Sequence, residues 1–292
     1  IVFCDEGSGL ADQAAERLLP FGYNNLEILQ GGIQAWREAG YEIFSGINVP
    51  SKAFGEFVEH EYSTPHVSAN ELKAKIDAGE KLVILDSRRM SEFNKMNIPG
   101  ASCCPGAELV YRVTDASIDT KTLVVVNCAG RTRSIIGCQS LINAGIPNPV
   151  VALKDGTMGW HLAGFELEKG QVRSAPNVSK TGLQRSKEMA DAVRTKYGVR
   201  RIGLSKLQLF QDQSQERSLF LLDVRSPEEF ESGHLPGSQS APGGQLVQAT
   251  DEFVGVRNAR LVLIDDTGVR AAMTASWLIQ MGWEEVYVLE GG

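Results

Sequence analysis

Short runs of Val, Ile and Leu alternate along the chain with segments whose apolar residues recur at helical spacing. Residues 124–126 (VVV) are one such apolar run, and residues 69–76 (ANELKAKI) are a helical segment. Continuous apolar runs are typical of strands buried on both faces of a parallel sheet, and their alternation with helices is typical of α/β domains. The pattern therefore predicts an α/β fold with mostly parallel central sheets.

The same motifs occur twice at a fixed separation. The sequence LDSR at residues 85–88 returns as LDVR at 222–225, and IPG at 98–100 returns as LPG at 235–237. Both pairs are 137 residues apart. Matches in one register along a chain indicate a duplicated structural unit rather than chance.

The rear half of this unit occurs three times. Each copy has an apolar run, a loop and a helical stretch, followed by Gly22, Gly145 or Gly282. Glycine is the preferred residue just beyond a helix C-terminus, so we expect each helix to end at this glycine. We therefore expect four regions in order: the C-terminal half of a domain (residues 1–50), a complete domain (66–170), a helical connector (171–197) and a third domain that stops before its last helix (198–292).

Composition narrows the class of protein. The 292 residues are 42% hydrophobic and 22% charged, which is ordinary for a globular chain with two or three cores. The net charge of −7 disfavours a nucleic-acid partner, and no apolar stretch is long enough for a membrane helix. Five cysteines are an odd, sparse count that suits a reducing compartment. We expect a cytoplasmic protein without nucleic-acid or membrane partners, and the oligomeric state stays open.

The loop after residues 124–126 carries the candidate chemistry. It contains Cys128 followed by residues 129–134 (AGRTRS), and a helical segment comes next. Ligands of α/β sheets bind at such loops, where backbone N–H groups and the positive helix end stabilise anions. Together with Arg131 and Arg133, these groups favour a thiolate over a thiol. We expect Cys128 to be a nucleophile, and the alternative is a small buried side chain that only packs.

These motifs resemble the rhodanese family, specifically the bacterial thiosulfate sulfurtransferases built of tandem rhodanese repeats. The resemblance rests on residues 85–89 (LDSRR), 97–101 (NIPGA), 128–134 (CAGRTRS) and the Gly-Trp pair at 159–160. It implies tandem doubly wound α/β domains. It also implies transfer of sulfane sulfur from thiosulfate or a similar donor to a thiophilic acceptor, through a persulfide on Cys128 and without a cofactor.

The resemblance also implies roles for the rest of the loop. The backbone N–H groups of residues 129–133 would hold the terminal sulfur, and Arg131 and Arg133 would attract the anionic donor. The implied substrate-binding residues are Ala129, Gly130, Arg131, Thr132, Arg133 and Ser134. We interpret Asp86 and Arg88 as a structural ion pair near the site. The four histidines have no metal-ligand spacing, and we expect no metal.

The flanking copies depart from this pattern. Offsets of 123 and 138 residues align Cys128 with Asp5 and with Asp266. A carboxylate cannot carry sulfane sulfur, so we expect both flanking copies to be non-catalytic. The same alignment predicts that the loop of the third copy is one residue shorter than the loop of Cys128.

Two other functions remain open. One is a phosphatase or arsenate reductase of the related fold, although resemblance to the cell-cycle dual-specificity phosphatases would require Cys-x5-Arg. Cys128 and Arg133 instead form Cys-x4-Arg, and a shorter loop favours a single sulfur atom over a tetrahedral oxyanion. The other is a largely non-catalytic binding module, which the two aspartates make credible for the flanks. The sequence leaves the physiological donor and acceptor open.

Overall fold

A computed structural model describes residues 1–41, 47–117 and 119–291. The chain divides into two compact units, Ile1–Val49 and Pro50–Gly292. The described residues of the first unit form a two-stranded parallel sheet, one 3-10 turn and two helices. Its elements are β1 (Val2–Phe3), α1 (Leu10–Leu18), the turn Leu19–Phe21, β2 (Glu27–Ile28) and α2 (Gly32–Glu38).

Helix α3 (Val49–Tyr62) leads into the second unit, whose central domain has a five-stranded parallel sheet. The strands are β3 (His66–Val67), β4 (Leu82–Asp86), β5 (Ser102–Cys103), β6 (Leu123–Asn127) and β7 (Val150–Leu153), in the order β3-β7-β6-β4-β5. The helices are α4 (Ala69–Asp77), α5 (Met90–Lys95), α6 (Glu108–Ala116), α7 (Thr132–Asn143) and α8 (Gly156–Leu162).

After the connector helix α9 (Lys180–Lys196), the third domain repeats this topology. Its strands are β8 (Arg200–Ile202), β9 (Leu219–Asp223), β10 (Gln239–Ser240), β11 (Arg260–Ile264) and β12 (Val286–Leu289), in the order β8-β12-β11-β9-β10. Its helices are α10 (Leu204–Asp212), α11 (Pro227–Ser232), α12 (Gly243–Gln248), α13 (Thr250–Phe253) and α14 (Val269–Gln280). The predicted tandem α/β domains with parallel sheets are confirmed.

The repeated helices end where the sequence predicts. Gly22, Gly145 and Gly282 follow the helical stretches of the three copies and have φ angles of 88°, 71° and 90°. This left-handed conformation is accessible to glycine at little cost, so each residue stops its helix and turns the chain toward the next strand.

One apolar cluster joins the central and third domains. A single buried cluster contains Leu109 and Leu141 of the central domain together with Val269 and Met273 of α14. The turns before α6 and at the start of α12 also meet, because a Cβ added to Gly244 would lie 2.9 Å from the backbone nitrogen of Gly106. The two domains therefore pack as one body through equivalent elements of the repeat.

The described residues include no helix with the length and apolar character that a membrane crossing requires.

Candidate functional site

Cys128 lies directly after β6, at the carboxyl edge of the central sheet. The residue is 2% exposed, and its Sγ lies 3.6 Å from Oγ of Ser134. Its carbonyl oxygen accepts hydrogen bonds from N–H and Oγ1 of Thr157, at 2.8 and 3.0 Å. The start of α8 therefore fixes the backbone of the cysteine from one side, and the first turn of α7 fixes the thiol from the other.

The loop around Cys128 offers unused hydrogen-bond donors. Within the described ranges, the backbone N–H groups of residues 129–133 donate to no protein acceptor. Two of these groups belong to the first turn of α7, where a helix has no internal acceptors and carries a partial positive charge. Such a set of donors stabilises an anion held beside the cysteine.

The equivalent loop of the third domain is filled by its own side chain. Asp265 follows β11 as Cys128 follows β6. Its carboxylate accepts N–H groups of Thr267 at 3.3 Å, of Arg270 at 2.8 Å and of Ala271 at 3.3 Å. The donors of this loop are therefore satisfied by a carboxylate that is part of the chain.

The first unit shows the same arrangement. The carboxylate of Asp5 accepts N–H groups of Gly7 at 2.8 Å and of Ala11 at 3.1 Å. The hydrogen bonds from Ala11 and Gly7 hold the pKa of Asp5 below its ordinary value. The folded loop of the first unit thus holds a carboxylate at Asp5, the residue that the sequence aligns with Cys128.

The expected equivalence of Asp266 with Cys128 is wrong. β4 pairs Asp86 with Asn127, and β9 pairs Asp223 with Ile264, so the residue after each strand is Cys128 or Asp265. Helices α7 and α14 then begin at equivalent residues, and the expected shortening of the third loop is absent. Because Asp265 and Asp266 are adjacent, the sequence alone did not show which of them is equivalent to Cys128. Asp266 instead forms an ion pair with Arg270.

Both arginines of the cysteine loop are engaged by carboxylates. Arg133 is largely buried and makes two hydrogen bonds of 2.8 Å to Glu92. Arg131 makes hydrogen bonds of 2.7 and 3.0 Å to Glu56 and a further one to Glu59. An anionic donor that uses these guanidinium groups, as predicted, therefore competes with glutamates already in place.

Asp86 and Arg88 form a buried ion pair beneath the site. Nε and Nη2 of Arg88 donate to the two oxygens of Asp86 at 2.9 and 2.7 Å, and Nη2 also donates to the carbonyl of Met96. The side chain of Asn127 donates to the same carboxylate at 2.9 Å. These contacts tie the ends of β4 and β6 together and so set the position from which Cys128 projects.

The other three thiols of the second unit are also buried. Burial raises the pKa of Cys103 and of Cys138 to about 12, and it raises the pKa of Cys104 well above the ordinary value. Each of these three residues is a protonated, buried thiol at neutral pH, and such thiols are inert as nucleophiles.

Sequence reasoning missed the acidic neighbours of the loop. Glu56 and Glu59 lie on α3, more than 70 residues before Arg131, and Glu92 lies on α5. Their only sequence signal is two glutamates at helical spacing, which usually indicates a solvated helix face.

A family model of the rhodanese-like domain matches residues 68–163 and 206–292. The chain belongs to the rhodanese-like domain family. Two matched segments in one chain confirm the predicted tandem repeat, and the matched parts include Cys128 with its loop and the equivalent loop at Asp265.

Solved structures and curated proteins show further similarity. The whole chain aligns with a crystal structure of thiosulfate sulfurtransferase from Pseudomonas aeruginosa at 55% identity and a TM-score of 0.96, and it covers 55% of that protein. It is 27% identical over 243 residues to the putative thiosulfate sulfurtransferase SseB of Mycobacterium tuberculosis, covering 70% of this chain and 78% of the relative. It is 39% identical over 77 residues to YqhL of Bacillus subtilis, covering 26% and 59%. The chain thus spans a little over half the length of the first and third of these proteins.

Proposed function

We propose that this chain is a sulfurtransferase that carries sulfane sulfur as a persulfide on Cys128. One contrast within the molecule supports the proposal. In the equivalent loops of the flanking copies, backbone N–H groups donate hydrogen bonds to the carboxylates of Asp5 and Asp265. In the cysteine loop, the N–H groups of residues 129–133 have no acceptor within the described ranges and lie in the same loop as a thiol. The cysteine loop is thus an anion cradle with a nucleophile in place of the built-in anion.

The chemistry proceeds in two displacements. The thiolate of Cys128 attacks the outer sulfur of thiosulfate, a new S–S bond forms, and sulfite leaves with the electron pair of the broken S–S bond. A thiophilic acceptor then attacks the terminal sulfur, and the Cys128 thiolate leaves with the electron pair of the persulfide bond. One neutral sulfur atom moves in each turnover, and no external oxidant or reductant is needed.

The loop donors assist this chemistry electrostatically. The terminal sulfur of the persulfide carries negative charge next to Cys128, in the loop whose N–H groups at residues 129–133 have no protein acceptor within the described ranges. Preorganised donors stabilise developing charge without reorganising during the reaction. The positive end of α7 acts in the same direction.

Similarity supports the substrate class. The related structure from Pseudomonas aeruginosa is named thiosulfate sulfurtransferase, and SseB is named a putative one. On the basis of these names, we propose that this chain uses a small anionic donor of the thiosulfate type and a thiophilic acceptor. We also propose a cytoplasmic location, because all five cysteines are free, as expected in a reducing compartment.

Mass spectrometry after treatment with thiosulfate tests the assignment directly. We expect one additional sulfur atom on the peptide that contains Cys128, and we expect Cys128→Ser to lose both the adduct and turnover. Cys4→Ser is the matched control, since that thiol is exposed and lies in the first unit, and it should retain both. Turnover that persists in Cys128→Ser, or sulfur found on another cysteine, contradicts the proposal.

A further inference from the structure

Helix α3 packs against three other helices of the second unit. Its Val58 is fully buried in a cluster with residues of α7, α12 and α14, namely Ile135, Ile136, Val247 and Trp277. Phe54 packs edge-on against Trp277 with the ring centroids 5.9 Å apart, and Oη of Tyr62 lies 3.3 Å from Oε1 of Gln280. The side chains of α3 therefore occupy defined positions relative to the cysteine loop.

One turn of α3 lies directly against this loop. A Cβ added to Gly55 would lie 2.8 Å from Cγ2 of Thr132, the first residue of α7. The next residue, Glu56, receives two hydrogen bonds from Arg131, and Glu59 receives a third. Close approach at Gly55 thus brings two carboxylates to Arg131 of the cysteine loop.

The charge around the loop does not favour a dianion. Around Arg131, one positive charge faces two negative ones, those of Glu56 and Glu59. Elsewhere in the loop, Glu92 is shared by Arg133 and Arg89. The hydrogen bonds that Arg131 donates to Glu56 raise the pKa of Arg131. Thiosulfate carries two negative charges, so it meets more repulsion here than a donor with one.

We propose that Glu56 and Glu59 determine donor specificity, by holding Arg131 so that the site discriminates against dianionic donors and favours sulfane-sulfur donors with a single negative charge. Thiosulfonates and organic persulfides belong to this favoured class. The inference rests on the proposed sulfurtransferase function. Both glutamates act through Arg131 and are positioning residues rather than catalytic ones.

Two donors of different charge test the inference, thiosulfate as the dianion and methanethiosulfonate as the monoanion. In the double variant Glu56→Gln/Glu59→Gln we expect the KM for thiosulfate to fall about two- to fivefold, the range of one partly exposed ion pair. The KM for methanethiosulfonate should fall distinctly less, and kcat should change little for either donor. The difference between donors should shrink at high ionic strength, because salt screens exposed charges.

Two control variants separate the charge effect from a loss of structure. Glu61→Gln removes a charge from an exposed residue of α3 that has no ion pair within the described ranges, and it should leave both KM values unchanged. Glu56→Asp/Glu59→Asp keeps both charges and should restore a KM for thiosulfate close to that of the wild type.

The outcomes distinguish the inference from the function on which it rests. Unchanged KM values in the Gln variant, or an equal change for both donors, overturn the specificity role while sulfur transfer stands. A wild-type protein that transfers sulfur from neither donor overturns the proposed function and the inference with it.

Discussion

Gly156 begins α8 and contacts the backbone of the cysteine loop. Replacing it by alanine tests whether this contact positions the loop. Its φ angle is 56°, in the left-handed region. An added Cβ would lie 2.6 Å from the carbonyl oxygen of Gly130 and 2.9 Å from the carbonyl carbon of Ala129, and it would overlap the carbonyl oxygen of Cys128. All three atoms are backbone, so the loop itself has to move.

The expected cost has two parts. An L-residue in the left-handed conformation costs about 1–2 kcal/mol. Overpacking against atoms that cannot rotate away adds about 1–3 kcal/mol. We therefore expect Gly156→Ala to lower the free energy of unfolding by about 2–5 kcal/mol and, because the loop shifts, to slow persulfide formation by about tenfold or more.

Gly164→Ala is the matched control. Gly164 has a φ angle of 87°, and a Cβ there would have no atom within 4 Å, so this variant carries only the conformational part, about 1–2 kcal/mol. Urea unfolding and single-turnover persulfide formation by mass spectrometry give the two readouts. Equal destabilisation of both variants, together with an unchanged rate in Gly156→Ala, would refute the idea that α8 positions the loop by direct contact.

Three further predictions concern the ion pair, the buried thiols and the loop length. Arg88→Met should lower stability in urea by about 3–5 kcal/mol because its carboxylate partner stays buried without a counter-charge, and Arg225→Met, whose arginine is more exposed, should cost less. Iodoacetamide at pH 8 should leave Cys103 unmodified in the folded protein, since burial raises its pKa to about 12, and peptide mapping checks this. The wild type should hydrolyse aryl phosphates negligibly. One residue inserted after Gly130 should widen the cysteine loop and so weaken sulfur transfer. Appreciable Cys128-dependent phosphatase activity in the wild type would contradict the importance of loop length.

The features that follow from local chemistry could be predicted from the sequence. Apolar runs gave parallel strands because both faces of each sheet are covered, and the helix stops at Gly145 and Gly282 followed from the freedom of glycine to adopt positive φ. The position of Cys128 at a strand end followed from the same pattern. The separation of 137 residues carried these assignments from one domain to the next.

The features that depend on pairing between distant elements could not be predicted. Two consecutive aspartates, Asp265 and Asp266, fit the repeat almost equally well, and only the ladder between β9 and β11 decides between them. Glu56 and Glu59 look like a solvated helix face in the sequence, because nothing local indicates that Arg131 reaches them. A pattern along the chain records which residues face a core, whereas the partner of a charge depends on tertiary packing.

Comparing the two copies of the domain shows which ion pairs belong to the fold and which accompany the thiol. In the third domain, which has no thiol after its central strand, Arg270 makes hydrogen bonds of 2.6 and 3.1 Å to Glu229. Arg133 pairs with Glu92 at the equivalent positions of the central domain. An ion pair that is present in both copies, with and without the nucleophile, serves the structure of the repeat.

Arg131 behaves differently, because its equivalent in the third domain is Gly268, which has a φ angle of 76° and no side chain. The charge of Arg131, together with the glutamates of α3 that hold it, therefore accompanies the thiol. The backbone donors follow the same division, since they bind the carboxylate of Asp265 in one loop and are left free beside Cys128 in the other. Attraction for a sulfur donor thus falls mainly to the free N–H groups, and Arg131 with its two glutamates affects which donor binds. Arg133 contributes mainly by holding α7 against α5.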